Sequence, residues 1–269
     1  QLIQKFLLGA VAFSQGADDY LDDDTVGKGL NSTNIPADKD YSSLEHQWDE
    51  GYGYFGAARD YLEYTDDEIA GKGGRDEYSS GRHDSNNDGL FDLLSEVNFG
   101  NSVNAAKRDR GTASHTSPTD FSTAAFNAFL AGRKIINDNV GTELTDAQMA
   151  DLAAQRDIAI EFWEKSISAT VVHYINDTLA DLDALGTADF SYDDLAKHWS
   201  EMKGFALNLQ FNRFSPLTDE DYTLLHSLMQ DAPVVSPEAD LEQYKADLLQ
   251  ARGILEAAYS FDSEHVANW

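Results

Sequence analysis

The sequence predicts an all-α fold, built as a duplicated four-helix bundle with a long acidic loop inserted in its first half. Three observations carry that expectation. Apolar residues recur at three- and four-residue spacing along most of the chain, the period of a helix with one buried face. Helix-start residues stand in front of these stretches. The chain also repeats itself: "WDEGYGYF" at 48–55 and "WSEMKGFA" at 199–206 share the pattern W-x-E-x-x-G-[YF]. Apart from a short turn near Val234-Val235, no stretch alternates apolar with polar as a half-buried strand does.

Helical patterns run over about 2–21, 42–63, 91–109, 119–138, 146–184, 191–212, 218–230 and 238–258. In the first, Leu2, Phe6, Leu7, Val11 and Phe13 form one stripe, so "QLIQKFLLGAVAF" reads as a buried helix. It is short for a signal core and carries Gln4 and Lys5. The natural protein is expected to extend upstream of residue 1. Ser42 stands before the second helix, and the third follows a Gly-, Asp- and Ser-rich stretch at 63–89. Thr119-Asp120, Thr145-Asp146, Ser191 and Thr218 offer caps to the next four. Pro237 behind Ser236 marks the start of the last, and "ALGTADF" at 184–190 and "RFSPLT" at 213–218 supply stops.

A second match, "FLAGRKII" at 129–136 with "LLQARGIL" at 248–255, sets Arg133 over Arg252. The two matches are offset by 151 and 119 residues, so about 32 extra residues separate the two helices in the first half. The simplest division is a first helical repeat at 1–140, carrying the acidic loop 63–96, and a second at 141–269, together one compact domain.

Charge narrows the function. With 48 acidic and 19 basic residues the net charge is −29, a field that repels phosphate backbones and anionic lipid. Nucleic acid is excluded as a partner, and divalent cations are favoured. No stretch approaches the roughly 20 apolar residues of a membrane span. Cysteine is absent, which removes thiolate metal sites and cysteine nucleophiles.

"DSNNDGLFDLLSE" at 84–96 is the strongest motif. Asp84, Asn86, Asp88, Gly89 and Asp92 give D-x-N-x-D-G-x-x-D. Calcium takes about 6–8 oxygens, and alternate side chains on a tightly turning loop converge on one point. The Leu90 carbonyl joins them, and Glu96 closes the site one place beyond the position an EF-hand uses, which here is Ser95. Calcium is therefore the expected cofactor, as a fastener of the loop. The alternative is an Asn/Asp-Gly turn in front of a helix, which needs no metal.

A second candidate lies on the Trp-containing helices. His46 and Glu50 are four apart, and His198 and Glu201 three apart, spacings that put both groups on one helix face. Facing helices build carboxylate–histidine sites for transition metals in this way; polar pairs satisfying each other beside core tryptophans are the plainer reading. Gly51, Gly53 and Gly56 suggest close helix contact or a break. Lys107, Arg108 and Arg110 suggest either bundle ion pairs or an anionic pocket. The patterns H-E-x-x-H and G-x-S-x-G are absent.

"LEHQWDEGYGYFG", "NFGNSVNAAKRDRG" with "TDFSTAAFNAFLAGRKII", and "KHWSEMKGFALNLQFN" resemble a bacterial family of uncharacterised exported helical proteins, often lipoproteins, related to the imelysin-like proteins. The resemblance covers nearly the whole chain. It implies an all-α double bundle in the periplasm or at the outer cell surface, with a lipid anchor supplied by the upstream portion. Imelysin relatives have been called peptidases and linked to iron uptake, with G-x-H-x-x-E as their metal motif. Here Gln47 stands where the first histidine would fall, and His198-x-x-Glu201 follows Ala196 rather than glycine. The expected function is an exported, non-enzymatic calcium-binding protein that captures a metal or other ligand; an imelysin-type metallopeptidase and a structural surface module are the alternatives.

Overall fold

The computed structural model describes residues 1–235 and 240–269. The start signal at Ser236-Pro237 lies outside the described residues. The protein is all-α: among the described residues there is no strand, and Arg82 and Val97 form an isolated antiparallel bridge. Among the described residues ten α-helices follow in order: α1 Leu2–Leu7, α2 Ser43–Phe55, α3 Asp66–Ile69, α4 Asn101–Thr112, α5 Phe121–Asp138, α6 Asp146–Asp183, α7 Tyr192–Ala206, α8 Asp219–Met229, α9 Leu241–Tyr259 and α10 Ser263–Asn268.

Most caps act where the sequence offers them. Ser42 and Glu45 form a reciprocal capping box on α2, while Ser191 and Thr218 accept from the third backbone N–H of α7 and α8. For α5 the cap is Asp120 rather than Thr119. Three expected helices differ, and the pattern at 42–63 ends as helix at Phe55, where Gly56 turns left-handed. The first is α-helical only to Leu7, then winds as π-helix over Leu8–Phe13 and Gly16–Tyr20. The wider turn rotates the apolar stripe, so Phe13 is fully buried while Leu7 and Val11 stay about half exposed. The pattern at 91–109 becomes helix only from Asn101. Its first part is loop, because Glu96 and Asn98 spend their side chains on backbone N–H groups of Ser85, Asn86, Asp92 and Ala58.

The chain divides into two compact units that are not consecutive in sequence. One comprises residues 1–9, 111–118 and 167–269; the other comprises 10–110 and 119–166. In the second unit an aromatic core joins Phe13, Trp48, Phe55, Phe129 and Trp163, all at most 2% exposed. Trp48 Nε1 donates to the Phe129 carbonyl at 2.9 Å, and Gly132 allows the approach, since a Cβ there would lie 2.0 Å from the indole. α2 ends at Gly56, left-handed at φ 86°. In the other unit Trp199, Met202, Leu225, Met229, Tyr244 and Leu248 are buried. Trp199 Nε1 donates to the Met229 carbonyl at 3.1 Å. Lys203 Nζ donates to the carbonyls of His226 and Gln230 at 3.0 and 2.8 Å, holding the C-terminal end of α8.

Candidate functional site

The acidic loop lies in the unit of residues 10–110 and 119–166. Its turns are made by its own side chains. Asp84 accepts from the N–H groups of Asp88 and Gly89 at 3.1 and 2.8 Å, and Asn86 Oδ1 accepts from Asp88 at 2.9 Å. Asp88 Oδ1 accepts from the Leu90 N–H at 2.9 Å, and Asp92 Oδ1 from that of Leu94 at 2.9 Å. Asn87 and Gly89 are left-handed, at φ 58° and 84°, which is why an Asn and a Gly stand there. Leu90 itself is 71% exposed.

Glu96 differs from the other acids. Its side chain is buried, at 2% exposure. Oε1 accepts from the Ser85 N–H at 2.9 Å, the Ser85 hydroxyl at 2.6 Å and the Asn86 N–H at 3.3 Å; Oε2 accepts from the Asp92 N–H at 3.0 Å. These bonds, that of Asp92 first, hold the carboxyl below its ordinary range. Bonds from the Leu94 N–H and then the Ser95 hydroxyl do the same for Asp92. Glu96 therefore ties the start of the loop to its end. Glu96 Oε1 already accepts three bonds, whereas each carboxylate oxygen of Asp84, Asp88 and Asp92 accepts one and retains lone-pair capacity, so those three side chains suit a hard, oxygen-loving cation. Among the described residues, however, no three His, Asp or Glu side chains are gathered closely enough to hold a metal.

The two His/Glu pairs fall in different units. His46 Nδ1 lies 3.9 Å from Glu50 Oε1 on α2, both partly exposed. His198 and Glu201 are not brought together. Glu201 is buried and ion-paired with Lys5 at 3.2 Å. His198 Nδ1 meets Asp181 Oδ2 at 2.8 Å, and its Nε2 lies 4.0 Å from Asp177, which is 3.4 Å from His173 Nε2. Sequence reasoning missed His173, Asp177 and Asp181. Their spacing on α6 was a signal, since four-residue steps share a face.

Also missed was an acid group beside α3. Burial first, then the charges of Asp109 and Asp120, pushes the Asp66 carboxyl up to about 7. Asp109, two per cent exposed, caps α5 by accepting from Phe121 and Ser122 N–H groups at 2.8 Å each. Arg110 pairs with Asp67, so that basic cluster supplies at least one ion pair within its unit.

Beside the acidic loop lies a cleft of about 460 Å³. Its floor is the aromatic face of α2 and α5, and residues 93–99 form a wall. Of the three α2 glycines, Gly51 is packed against Leu21, whereas Gly53 faces this cleft with no atom within 4 Å of where a Cβ would sit.

Residues 1–70 match a family model described as Domain of unknown function (DUF4856). The match takes in α2, with His46 and Glu50, and ends before Asp84, the first residue of the D-x-N-x-D-G pattern. No curated protein and no solved structure matches the chain.

Proposed function

We propose that the protein is an exported, non-enzymatic binding module, a duplicated helical bundle whose acidic loop takes calcium and which captures a second ligand. The observation that carries it is the loop's acceptor pattern: Asp84, Asn86, Asp88 and Asp92 all turn oxygens inward onto backbone N–H groups at alternate positions. A divalent cation taken up by these oxygens and the Leu90 carbonyl would relieve repulsion among the three aspartates, Asp84, Asp88 and Asp92. Glu96 already fixes the loop ends, so calcium acts as a fastener and not as a reagent. Duplication is supported by the two tryptophans, one per unit, each buried and each donating to a carbonyl of a neighbouring helix. Arg133 and Arg252 likewise fall one per unit.

The imelysin relationship, periplasmic or surface location and a lipid anchor belong to the same proposal. A metallopeptidase ranks second, because Glu201 is ion-paired with Lys5 and His198 with Asp181. In the test, metal-free protein is melted against rising calcium at constant ionic strength. Saturation at a hundred times Kd stabilises by about 2.7 kcal/mol, and Asp88→Ala should lose that rise. A melting temperature indifferent to calcium would sink the proposal. Chelator-sensitive cleavage of an unfolded protein, abolished in His198→Ala, would instead promote the peptidase.

A further inference from the structure

We infer that the cleft between α2, α5 and residues 93–99 binds a small amphiphilic anion, an apolar body with a carboxylate end, which Arg59 receives. This names a ligand class for the capture function above and leaves its calcium part untouched. The cleft has the size and lining of a small-molecule site. Tyr52, Phe126 and Phe129 give an aromatic floor, and Leu93 and Leu94 stand over it. Those two leucines are 73% and 90% exposed, an apolar wall that gains by being covered. Gly53 points the same way. A glycine inside a helix weakens it, and no neighbouring atom requires one here; the space it leaves belongs to the cleft.

The charges decide the sign of the ligand. Four ionic side chains line the cleft: Asp49, Glu50, Arg59 and Arg133. Asp49 is bound by Arg133 Nε at 2.7 Å, and Arg133 Nη2 also reaches Glu45 at 3.1 Å. Glu50 faces His46. Arg133 Nη1 is buried with no hydrogen-bond partner. Arg59 makes no ion pair among the described residues, and its side chain is exposed. In a chain of net charge −29, a guanidinium that no carboxylate contacts, Asp92 acting on it only from longer range, is complementary to a carboxylate brought by the ligand into the adjoining apolar cleft.

Calorimetric titration with dodecanoate, below its micelle concentration and with chelator present, tests this against dodecyltrimethylammonium. The protein's overall field favours the cation, so preference for the anion has to come from the site. One dodecanoate should bind per chain, about tenfold tighter than the cation. Arg59→Gln should erase that preference, and Gly53→Leu, which favours the helix while filling the cleft, should abolish binding of both. Arg213→Gln, in the other unit, should change nothing. The cation binding as tightly as the anion, an unaltered anion affinity in Arg59→Gln, or unaltered binding in Gly53→Leu would each overturn the inference. Because chelator is present, failure of calcium binding leaves this result readable.

Discussion

Asp66 opens α3 from a position where its charge is unwelcome. Burial and three neighbouring acids, Asp109, Asp120 and Asp67, raise its pKa from 3.8 to about 7. The folded chain therefore holds a proton that the unfolded chain has already released, and stability falls as pH rises from 3.8 through about 7. Asp66→Asn should flatten much of that slope in urea midpoints measured across the range. Asp109, also raised by burial, will leave a remainder. A slope equal to that of the parent would show that Asp66 is not the group responsible. Glu96 and Asp92 act in the opposite sense: their lowered pKa values contribute stability above the ordinary carboxylate range, lost as pH falls below it. That Asp84, Asn86, Asp88 and Asp92 curl the loop could be read from spacing, because short polar side chains beside a glycine accept backbone N–H bonds two to five residues on. The role of Glu96 could not, because burial and long-range bonds to Ser85 and Asn86 have no local signature.

Helix pairing depends on where rings can approach backbone. Gly132 is such a place: a Cβ would lie 2.0 Å from Trp48 Cζ2, in a core with no room for the indole to retreat. Gly132→Ala should cost about 1–3 kcal/mol through overpacking. In α9, Gly253 has open space, with no atom within 4 Å of where a Cβ would sit, so Gly253→Ala should instead stabilise by up to about 1 kcal/mol. Paired thermal melts check both, and equal shifts would refute the steric account. At this scale most of the fold was legible, because caps such as Ser42, Ser191 and Thr218 are local chemistry. The π-wound segment after Leu7 was not, since a 3.6-residue period is assumed when a stripe is drawn. The short α10, capped by Asp262, was likewise missed; its few residues give too little periodicity.

For the whole molecule, self-repulsion is the dominant electrostatic fact. Acids outnumber bases by 48 to 19, so pairing every base would still leave the net charge of −29. Raising sodium chloride from about 0.01 to 0.15 M shortens the screening length to about 8 Å, so the melting temperature should rise by several degrees. A flat or falling response would mean that repulsion does not limit stability. Any calcium effect has to exceed this general one, which is why ionic strength is matched in that titration. Fold class and excess charge were plain in the sequence because they are sums over many residues. The cleft was not, since Gly53, Arg59 and Leu94 meet only after the loop has packed against α2.

The interleaving of the units also sets a timetable for synthesis. Residues 10–110 and 119–166 make up one unit, so a ribosome delivers everything it needs well before translation reaches Trp269. The other unit must wait. Its Asn176 donates to the carbonyls of Val266 and Trp269 at 3.0 and 2.9 Å, and Gln1–Gly9, made long before them, belongs to it. The nascent chain thus holds α1 without its packing partner until α7 has emerged, so the apolar side of α1 stays uncovered for most of synthesis.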